Sequence, residues 1–308
     1  MKKFNTHFCA ALLVLMMLAV AFSTGALAAG PIDTEASCTL SVSFRPEDKA
    51  AEGVRFSLYR VADVSRGCQF TPTEDFEAYP IVKLLEQPDA ESYRLLSATL
   101  PGYIAADSIA AFDTSATDAE GTAQFRRLPT GLYLVTGEVY QADRRFYTPE
   151  AFLVCLPNRL EDDSWDYDVE VNGKYDFCPD SDPVDVSVVK LWSDSSANTH
   201  ATDAVVVKLY DGTELYDTQT LSKENGWAYE WKGLYGGTKW TLVETQYPSG
   251  YTPRVDRLGN RFIVTNSTTG RTAGGKLPQT GLLWWPVPLL LLGGAVLIAL
   301  GAARRKRG

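Results

Sequence analysis

The sequence predicts an all-β protein with two tandem β-sandwiches, the first of which carries short inserted helices. Three observations support this prediction. Apolar and polar residues alternate with a period of two over several short segments, a pattern typical of half-buried strands. The turn-forming run Asp-Ser-Asp-Pro at 180–183 separates a block at 30–175 from a block at 184–267. The long apolar segments lie near the two ends of the chain, outside both blocks.

The two ends have the composition of targeting segments. Residues 1–28 begin with Lys2 and Lys3, continue through an apolar run and close on small residues, which predicts a secretory signal peptide. Residues 282–303 are uncharged and long enough for one transmembrane helix, and residues 304–308 form a basic cytoplasmic tail. We therefore expect an exported chain that spans the membrane transiently through 282–303.

The body between these ends is acidic. The chain has 29 Lys and Arg against 38 Asp and Glu, a formal net charge of −9, and every acidic residue lies within 29–280. A surface of this sign repels phosphate backbones, so we expect no nucleic-acid partner. Of the two histidines, His7 lies in the signal peptide and His200 in a polar loop. A multi-histidine metal site is therefore excluded, and we expect no metal and no cofactor.

The residue pattern of block one predicts strands with a helical insertion. Every second residue from Cys38 to Phe44 is apolar. Further strands are expected at 54–64, 122–125, 131–139, 152–156 and 165–171. The stretch 73–110 has mixed spacing and is broken by Pro80 and by Pro101-Gly102, so it predicts one or two short helices.

Block two carries three polar residues on predicted core faces. Its strands are expected near 185–192, 204–210, 227–231, 239–245 and 261–266. Lys190, Glu244 and Asn266 each share the parity of the apolar residues in their strand, whereas Lys208 alternates against its apolar neighbours as a surface lysine does. A lone buried charge is costly, so we expect these three residues to meet.

Such a meeting makes a covalent reaction available. Burial favours the neutral amine of Lys190 and the neutral acid of Glu244. The amine is then a nucleophile and the Asn266 carboxamide an electrophile that loses ammonia, while Glu244 polarises the carbonyl and moves the proton. The expected product is an amide that ties the first strand to the last. The alternative is a buried ion pair and hydrogen bond with no covalent step.

Block two also resembles the collagen-adhesin B-type (Cna-B) domain. The likeness lies in Val-Val-Lys-Leu-Trp at 188–192, in Trp-Thr-Leu-Val-Glu-Thr at 240–245 and in Val-Thr-Asn at 264–266. The resemblance implies an Ig-like or prealbumin-like sandwich and an autocatalytic isopeptide bond between Lys190 and Asn266, with Glu244 as the catalytic acid. It implies nothing about collagen binding, because a fold does not fix a function.

A pentapeptide precedes the apolar span. Leu-Pro-Gln-Thr-Gly at 277–281 follows a spacer at 268–276, and the order of pentapeptide, span and basic tail resembles the sorting signal of Gram-positive surface proteins. The resemblance implies that a sortase cleaves between Thr280 and Gly281 and passes the Thr280 acyl group to an amine. The protein would then be anchored to peptidoglycan. The alternative is a plain single-span membrane protein.

Lys174 has the parity of the acidic, solvent-facing residues of its strand. The run 165–174 resembles the pilin motif of sortase-assembled pili, which it matches at Trp165, Val169, Val171 and Lys174. It departs from that motif at Asn172 and Gly173, where the family has Tyr and Pro. The resemblance implies that Lys174 accepts the threonine acyl group of the next subunit. The alternative is a surface lysine at the start of a linker.

Four cysteines remain once Cys9 leaves with the signal peptide. They are Cys38, Cys68, Cys155 and Cys178. An even number in an exported chain favours disulfides, and three pairings are possible. We favour Cys38–Cys178 with Cys68–Cys155, because the first pair would clasp the two ends of block one. The alternative is free buried thiols.

These features predict a structural protein rather than an enzyme. We expect a pilus shaft subunit, secreted and anchored to the Gram-positive cell wall, with sortase, peptidoglycan and neighbouring pilin subunits as partners. One alternative is a basal or minor pilin, or a stand-alone adhesin that binds a host extracellular ligand. Another is a wall-bound enzyme built around His200.

Overall fold

The computed structural model describes residues 30–193 and 202–268. The predicted signal peptide, His200, the spacer beyond residue 268, the sorting pentapeptide with Thr280 and Gly281, and the predicted transmembrane helix and basic tail lie outside these ranges. Within them, no helix has the length and apolar character needed to cross a membrane.

Block one is a sandwich of short strands, as the alternating pattern predicts. Its strands are β1 (Cys38–Ser43), β2 (Arg55–Val64), β3 (Phe70–Pro72), β4 (Asp113–Ala116), β5 (Thr122–Leu128), β6 (Gly131–Gly137), β7 (Tyr140–Ala142), β8 (Arg145–Pro149), β9 (Phe152–Leu156), β10 (Asn158–Arg159), β11 (Trp165–Asp166), β12 (Asp168–Asn172) and β13 (Tyr175–Pro179). One sheet has the order β12-β1-β5, and another runs β3-β2-β6-β9 with β4 also on β2. Smaller sheets pair β13-β8-β7 and β10-β11.

The period-two pattern of 38–44 reflects a half-buried strand. Cys38, Leu40 and Val42 are buried, and the residues between them are half-buried. Their side chains join the core that Phe56 and Phe125 share between the two main sheets. β1 also pairs in parallel with β12, so the first strand lies beside a late strand. The chain continues past residue 175 as β13, which pairs antiparallel with β8.

The inserted helical region differs from the prediction. A 3-10 helix at Pro80–Glu86 is followed by a single α-helix of 18 residues, α1 (Ala90–Asp107), which runs through Pro101. Two further 3-10 turns lie at Pro46–Asp48 and Lys223–Asn225. The Asp89 side chain caps the start of α1 by accepting from the Ser92 amide.

Burial explains why Pro101 and Gly102 do not end this helix. A proline removes one helical hydrogen bond, but tertiary packing can outweigh that loss. α1 packs on Leu132 and Leu134 of the first sandwich and on Val243 of the second within one apolar cluster. Proline and glycine therefore stand where the helix approaches the second sandwich.

Block two is a second sandwich. Its strands are β14 (Val184–Ser193), β15 (Ala204–Asp211), β16 (Glu214–Ser222), β17 (Ala228–Leu234), β18 (Trp240–Gln246), β19 (Thr252–Leu258) and β20 (Arg261–Ser267). The sheets have the orders β17-β14-β20-β19 and β16-β15-β18. β16 and β19 were not predicted, because β16 is mostly exposed and β19 contains Pro253 and the buried Arg254.

Helix α1 covers the open side of the second sandwich, where the edge strands β18 and β19 lie. The Thr99 hydroxyl donates to the Val255 carbonyl at 3.2 Å and accepts from the Val255 amide at 2.9 Å. Arg94 of α1 forms an ion pair with Asp256. A helix that belongs to the first block thus satisfies backbone groups of an edge strand in the second.

Candidate cross-linking site

The candidate site forms where the first and last strands of the second sandwich run side by side. β14 and β20 are parallel neighbours, with Lys190 opposite Val264 and Trp192 opposite Asn266. Lys190 is 3% exposed and Asn266 is fully buried. Both side chains face the opposite sheet because they share the parity of core residues on their strands.

Glu244 reaches this pair from β18 in the opposite sheet, and it is 1% exposed. Asn266 Nδ2 donates a hydrogen bond of 2.8 Å to Glu244 Oε1. Lys190 Nζ lies 3.7 Å from Glu244 Oε2. The structure therefore brings the amine, the carboxyl and the carboxamide together, with one carboxyl oxygen facing each partner.

The electrostatics of the site favour a protonated carboxyl. Burial raises the pKa of Glu244 to about 7, against the opposing influence of Lys190 and of the Asn266 hydrogen bond. A carboxyl with this pKa can both accept and return a proton near neutral pH.

Lys190 is held by its own strand and by aromatic rings. Its Nζ donates to the Leu191 carbonyl at 2.8 Å and lies 4.1 Å from the centroid of the Trp192 ring. Trp192 in turn packs edge-on against Trp227 and Tyr251. Trp192 shares the parity of Lys190 on β14, which already indicated that the two side chains would lie together.

The orientation of the amide differs from the one expected. Glu244 was expected to polarise the Asn266 carbonyl, whereas its Oε1 accepts from the amide nitrogen. Asn266 Oδ1 is buried and has no hydrogen-bond partner in the described part of the chain. A half-turn of the carboxamide exchanges its oxygen and nitrogen and would bring Oδ1 to the carboxyl.

Lys174 lies on the surface, away from this buried site. It is exposed and sits in the two-residue break between β12 and β13. Its carbonyl accepts a hydrogen bond of 2.9 Å from the Glu150 amide, and the Gly173 amide donates to the Ser43 carbonyl at 2.8 Å. A proline at 173, as in the pilin motif, would lack that amide hydrogen.

The four described cysteines are free thiols, so neither predicted pair, Cys38–Cys178 or Cys68–Cys155, is formed. Burial raises the pKa of Cys155 to about 12, with smaller contributions from Cys68 and Cys38, so these three thiols share one neighbourhood. Cys178 lies elsewhere, with its Sγ 3.7 Å from the Gly236 carbonyl of the second sandwich. The predicted clasp fails because Cys38 points into the first core while Cys178 contacts the second sandwich.

The described ranges contain no group of three or more His, Cys, Asp or Glu residues arranged to hold a metal ion.

Comparisons with known proteins bear on the second sandwich. The family model of the Cna protein B-type domain matches residues 186–267. No curated protein matches the chain in sequence.

Several solved structures are similar to the chain at low identity. A single B repeat unit of the collagen-binding surface protein of Staphylococcus aureus is 19% identical, with 76% of this chain and 98% of that chain covered and a TM-score of 0.26. The shaft pilin SpaA of Lactobacillus rhamnosus GG is 15% identical, with 77% and 100% covered and a TM-score of 0.29. The basal pilin SpaB of the same organism is 15% identical, with 45% and 95% covered and a TM-score of 0.31. The match of the family model places the similarity to the Cna protein B-type domain in the second sandwich, at residues 186–267.

Proposed function

We propose that this protein is a subunit of a covalently assembled pilus, whose second sandwich is stapled by an isopeptide bond between Lys190 and Asn266. The observation that carries the proposal is the meeting of Lys190, Glu244 and Asn266 out of water at the junction of β14, β18 and β20. Three polar side chains in one core are costly unless they interact, and this combination has a specific covalent outcome.

The reaction is a transamidation within one chain. Lys190 Nζ, as the neutral amine, attacks Cγ of Asn266, while protonated Glu244 donates to the carboxamide oxygen after the half-turn described above. Glu244 then accepts a proton from Nζ and passes it to the departing nitrogen. As the carbonyl re-forms, the proton on its oxygen returns to Glu244, which ends protonated as it began. The Nζ–Cγ bond forms, the Cγ–Nδ2 bond breaks, and ammonia leaves. Burial supports each step because it disfavours the charged amine and the charged carboxyl alike.

The strand arrangement gives this bond a mechanical role. A pulling force enters the second sandwich at the start of β14 and leaves at the end of β20. Because the two strands are parallel neighbours, those points lie at opposite ends of their ladder, and the ladder is loaded in shear. A bond between Lys190 and Asn266 carries the force directly from strand to strand and leaves the chain between them unloaded.

Exposure separates the two lysines chemically. Buried Lys190 is out of reach of another protein, whereas Lys174 is exposed and could accept an acyl group from a sortase. We therefore assign Lys174 as the acceptor for the Thr280 acyl group of a neighbouring subunit. On this proposal the chain is exported by residues 1–28, divided into sandwiches at 30–175 and 184–267, and anchored to peptidoglycan through 277–281.

The intact mass of the protein comprising residues 29–280, measured under reducing conditions, tests the internal bond. We expect a mass one ammonia below that of the sequence. Lys190→Ala and Asn266→Ala should restore the missing ammonia after allowance for the substitution, and Lys208→Ala should not. If the unsubstituted protein has the full mass of its sequence, with no ammonia lost, the proposal is wrong.

Polymerisation on cells tests the role of Lys174. We expect ladders of covalent multimers that disappear in Lys174→Ala and persist in Lys232→Ala, a change at another exposed lysine. Unchanged ladders in Lys174→Ala would overturn the acceptor assignment. Absence of ladders from the unsubstituted protein would favour the second candidate, a basal or minor pilin or a wall-anchored adhesin. The departure from the pilin motif at Asn172 and Gly173 keeps that candidate open.

A further inference from the structure

A cavity of about 270 Å³ lies where helix α1, the first sandwich and the second sandwich meet. Thr148, Glu150 and Asp176 line it from the first sandwich. Lys239, Thr241 and Arg257 line it from the second, and Pro101 lines it from α1. This cavity is separate from the Lys190 site.

Two cations from the second sandwich, Lys239 and Arg257, line this cavity without an ion-pair partner among the described residues. Lys239 Nζ donates to the Gly137 carbonyl at 3.0 Å, which leaves two of its three hydrogens unused. Arg257 Nε donates to the Gly259 carbonyl at 2.7 Å, and its guanidinium stacks 5.5 Å from the centroid of the Phe262 ring. Neither cation has a carboxylate within 4 Å in the part of the chain that the structure describes.

The surroundings of Lys239 lower its pKa. Burial first, and the positive charge of Arg257 second, lower the pKa of Lys239 to about 7. An anion placed between the two cations would relieve both the burial cost and their mutual repulsion.

Thr241 adds an unused hydroxyl at the same place. Its Oγ1 is buried and has no hydrogen-bond partner within the described ranges. Lys239 directly precedes β18 and Thr241 is the second residue of that strand, and both line the cavity. An ammonium, a guanidinium and a hydroxyl therefore line one side of the cavity with donors to spare, the combination that binds a carboxylate.

The first sandwich contributes the opposite charge. Glu150 and Asp176 are exposed and line the cavity. Burial lowers the pKa of Arg257, and the negative charges of Asp176 and Glu150 act in the opposite direction. The remaining charges that line the cavity, Arg94 and Asp256, already form an ion pair with each other. The free charges thus sum to two cations on one side and two carboxylates on the other.

We propose that this cavity binds a zwitterionic ligand, a free amino acid or a short peptide, with its carboxylate at Lys239, Thr241 and Arg257 and its ammonium at Glu150 and Asp176. The balance of charge favours a zwitterion over a dianion such as phosphate, which the two carboxylates would repel. The volume suits a ligand of one or two residues, because pockets for larger molecules begin at about 300 Å³. This proposal does not depend on the isopeptide bond or on pilus assembly.

Isothermal titration calorimetry on the protein comprising residues 29–280, which contains both sandwiches, tests the site with four probes. These are L-alanyl-L-alanine, its N-acetyl derivative, its C-terminal amide and inorganic phosphate. We expect the dipeptide to bind and each blocked form to bind at least about tenfold more weakly, since each loses a charge-assisted interaction. Tighter binding of phosphate than of the dipeptide would make the cavity an anion site and overturn the zwitterion assignment.

Three variants locate the binding. Lys239→Met and Thr241→Val should each weaken dipeptide binding, Lys239→Met by at least about tenfold. Glu150→Gln, an exposed change that leaves the core intact, should weaken the dipeptide but leave the N-acetyl form unchanged. Lys232→Met is the matched control and should bind as the unsubstituted protein does. No dipeptide binding at millimolar concentration, or equal binding by Glu150→Gln and the control, would overturn the proposal.

Discussion

Asn266 Nδ2 donates a hydrogen bond of 2.8 Å to Glu244 Oε1. This bond links the last strand of the second sandwich to a carboxyl group of the opposite sheet. The contact lies in a core where both side chains are almost wholly excluded from water. It places the carboxamide beside the carboxyl that also lies 3.7 Å from the Lys190 amine, so the proposed reaction depends on Glu244.

Glu244→Gln should abolish the isopeptide bond while keeping the shape of the side chain. Glutamine can hydrogen-bond to Asn266 but cannot take up and return a proton, so the amine and carboxamide should stay unreacted. We expect the variant to have the full mass of its sequence. It should also lose about 4 kcal/mol of stability, because the bond closes a long loop in the unfolded chain. Chemical denaturation of the variant and of the parent measures the difference.

The matched comparison for Glu244→Gln is Asn266→Ala, which removes the electrophile and leaves the acid. Both variants should lack the bond and unfold at similar denaturant concentrations. A Glu244→Gln protein that still lacks one ammonia would show that another group moves the proton.

The raised pKa of Glu244 predicts how stability depends on pH in a protein that cannot cross-link. Its pKa is about 7 in the folded state against 4.5 for an unperturbed glutamate. Between these values the folded state binds more protons than the unfolded state, so stability falls as pH rises through the window. The slope contributed by this one group approaches about 1.4 kcal/mol per pH unit.

Denaturation of Asn266→Ala between pH 4 and pH 8, roughly the window between the two pKa values, measures that slope. The double variant Asn266→Ala with Glu244→Gln is the control, because it keeps every other titrating group. We expect the stability of the single variant to fall relative to the double variant as pH rises. A constant difference across the window would contradict the raised pKa.

Gly102→Ala should destabilise the contact between helix α1 and the second sandwich. A Cβ at this position would lie far closer to the Leu242 carbonyl oxygen than two such atoms can approach. This oxygen belongs to the main chain of a packed strand and cannot move aside, so the helix must shift away. We expect a loss of about 1–3 kcal/mol, as for other overpacked cores.

Gly67→Ala is the matched control for Gly102→Ala, since a Cβ there meets only the Ser65 hydroxyl at 4.0 Å. Its unfolding free energy should stay within about 0.5 kcal/mol of the parent, as for most surface substitutions. Equal stability of the two variants would mean that the helix does not dock as closely as described.

The alternation of apolar and polar residues predicted much of this fold and which residues form the candidate site. The parities of Lys190, Glu244 and Asn266 indicated one shared core, and the structure brings the three together. Parity records only which face a side chain occupies. It could not specify which carboxamide atom meets Glu244, because that depends on rotation about one side-chain bond.

The helical insertion was harder to predict. By local rules Pro101-Gly102 should end a helix. It lies within α1 because the helix packs on Leu132, Leu134 and Val243. Gly102 also lets the helix approach the Leu242 carbonyl. The edge strand β19 was missed because it contains Pro253 and the buried Arg254. Its Val255 backbone hydrogen bonds with Thr99, more than 150 residues earlier in the chain. Contacts between the sandwiches are long-range, and no local pattern encodes them.

Lys239 should titrate well below an unperturbed lysine. Burial and the nearby charge of Arg257 lower its pKa to about 7, against 10.5 for an unperturbed lysine. In a protein with ¹³C-labelled lysine side chains, one Cε resonance should shift with a midpoint near that value. Lys239→Met should remove that resonance and Lys232→Met should not. Because an anion at the ammonium favours its charged form, saturating L-alanyl-L-alanine should move the midpoint upward. A Lys239 midpoint near 10 without ligand would contradict the burial of this cation.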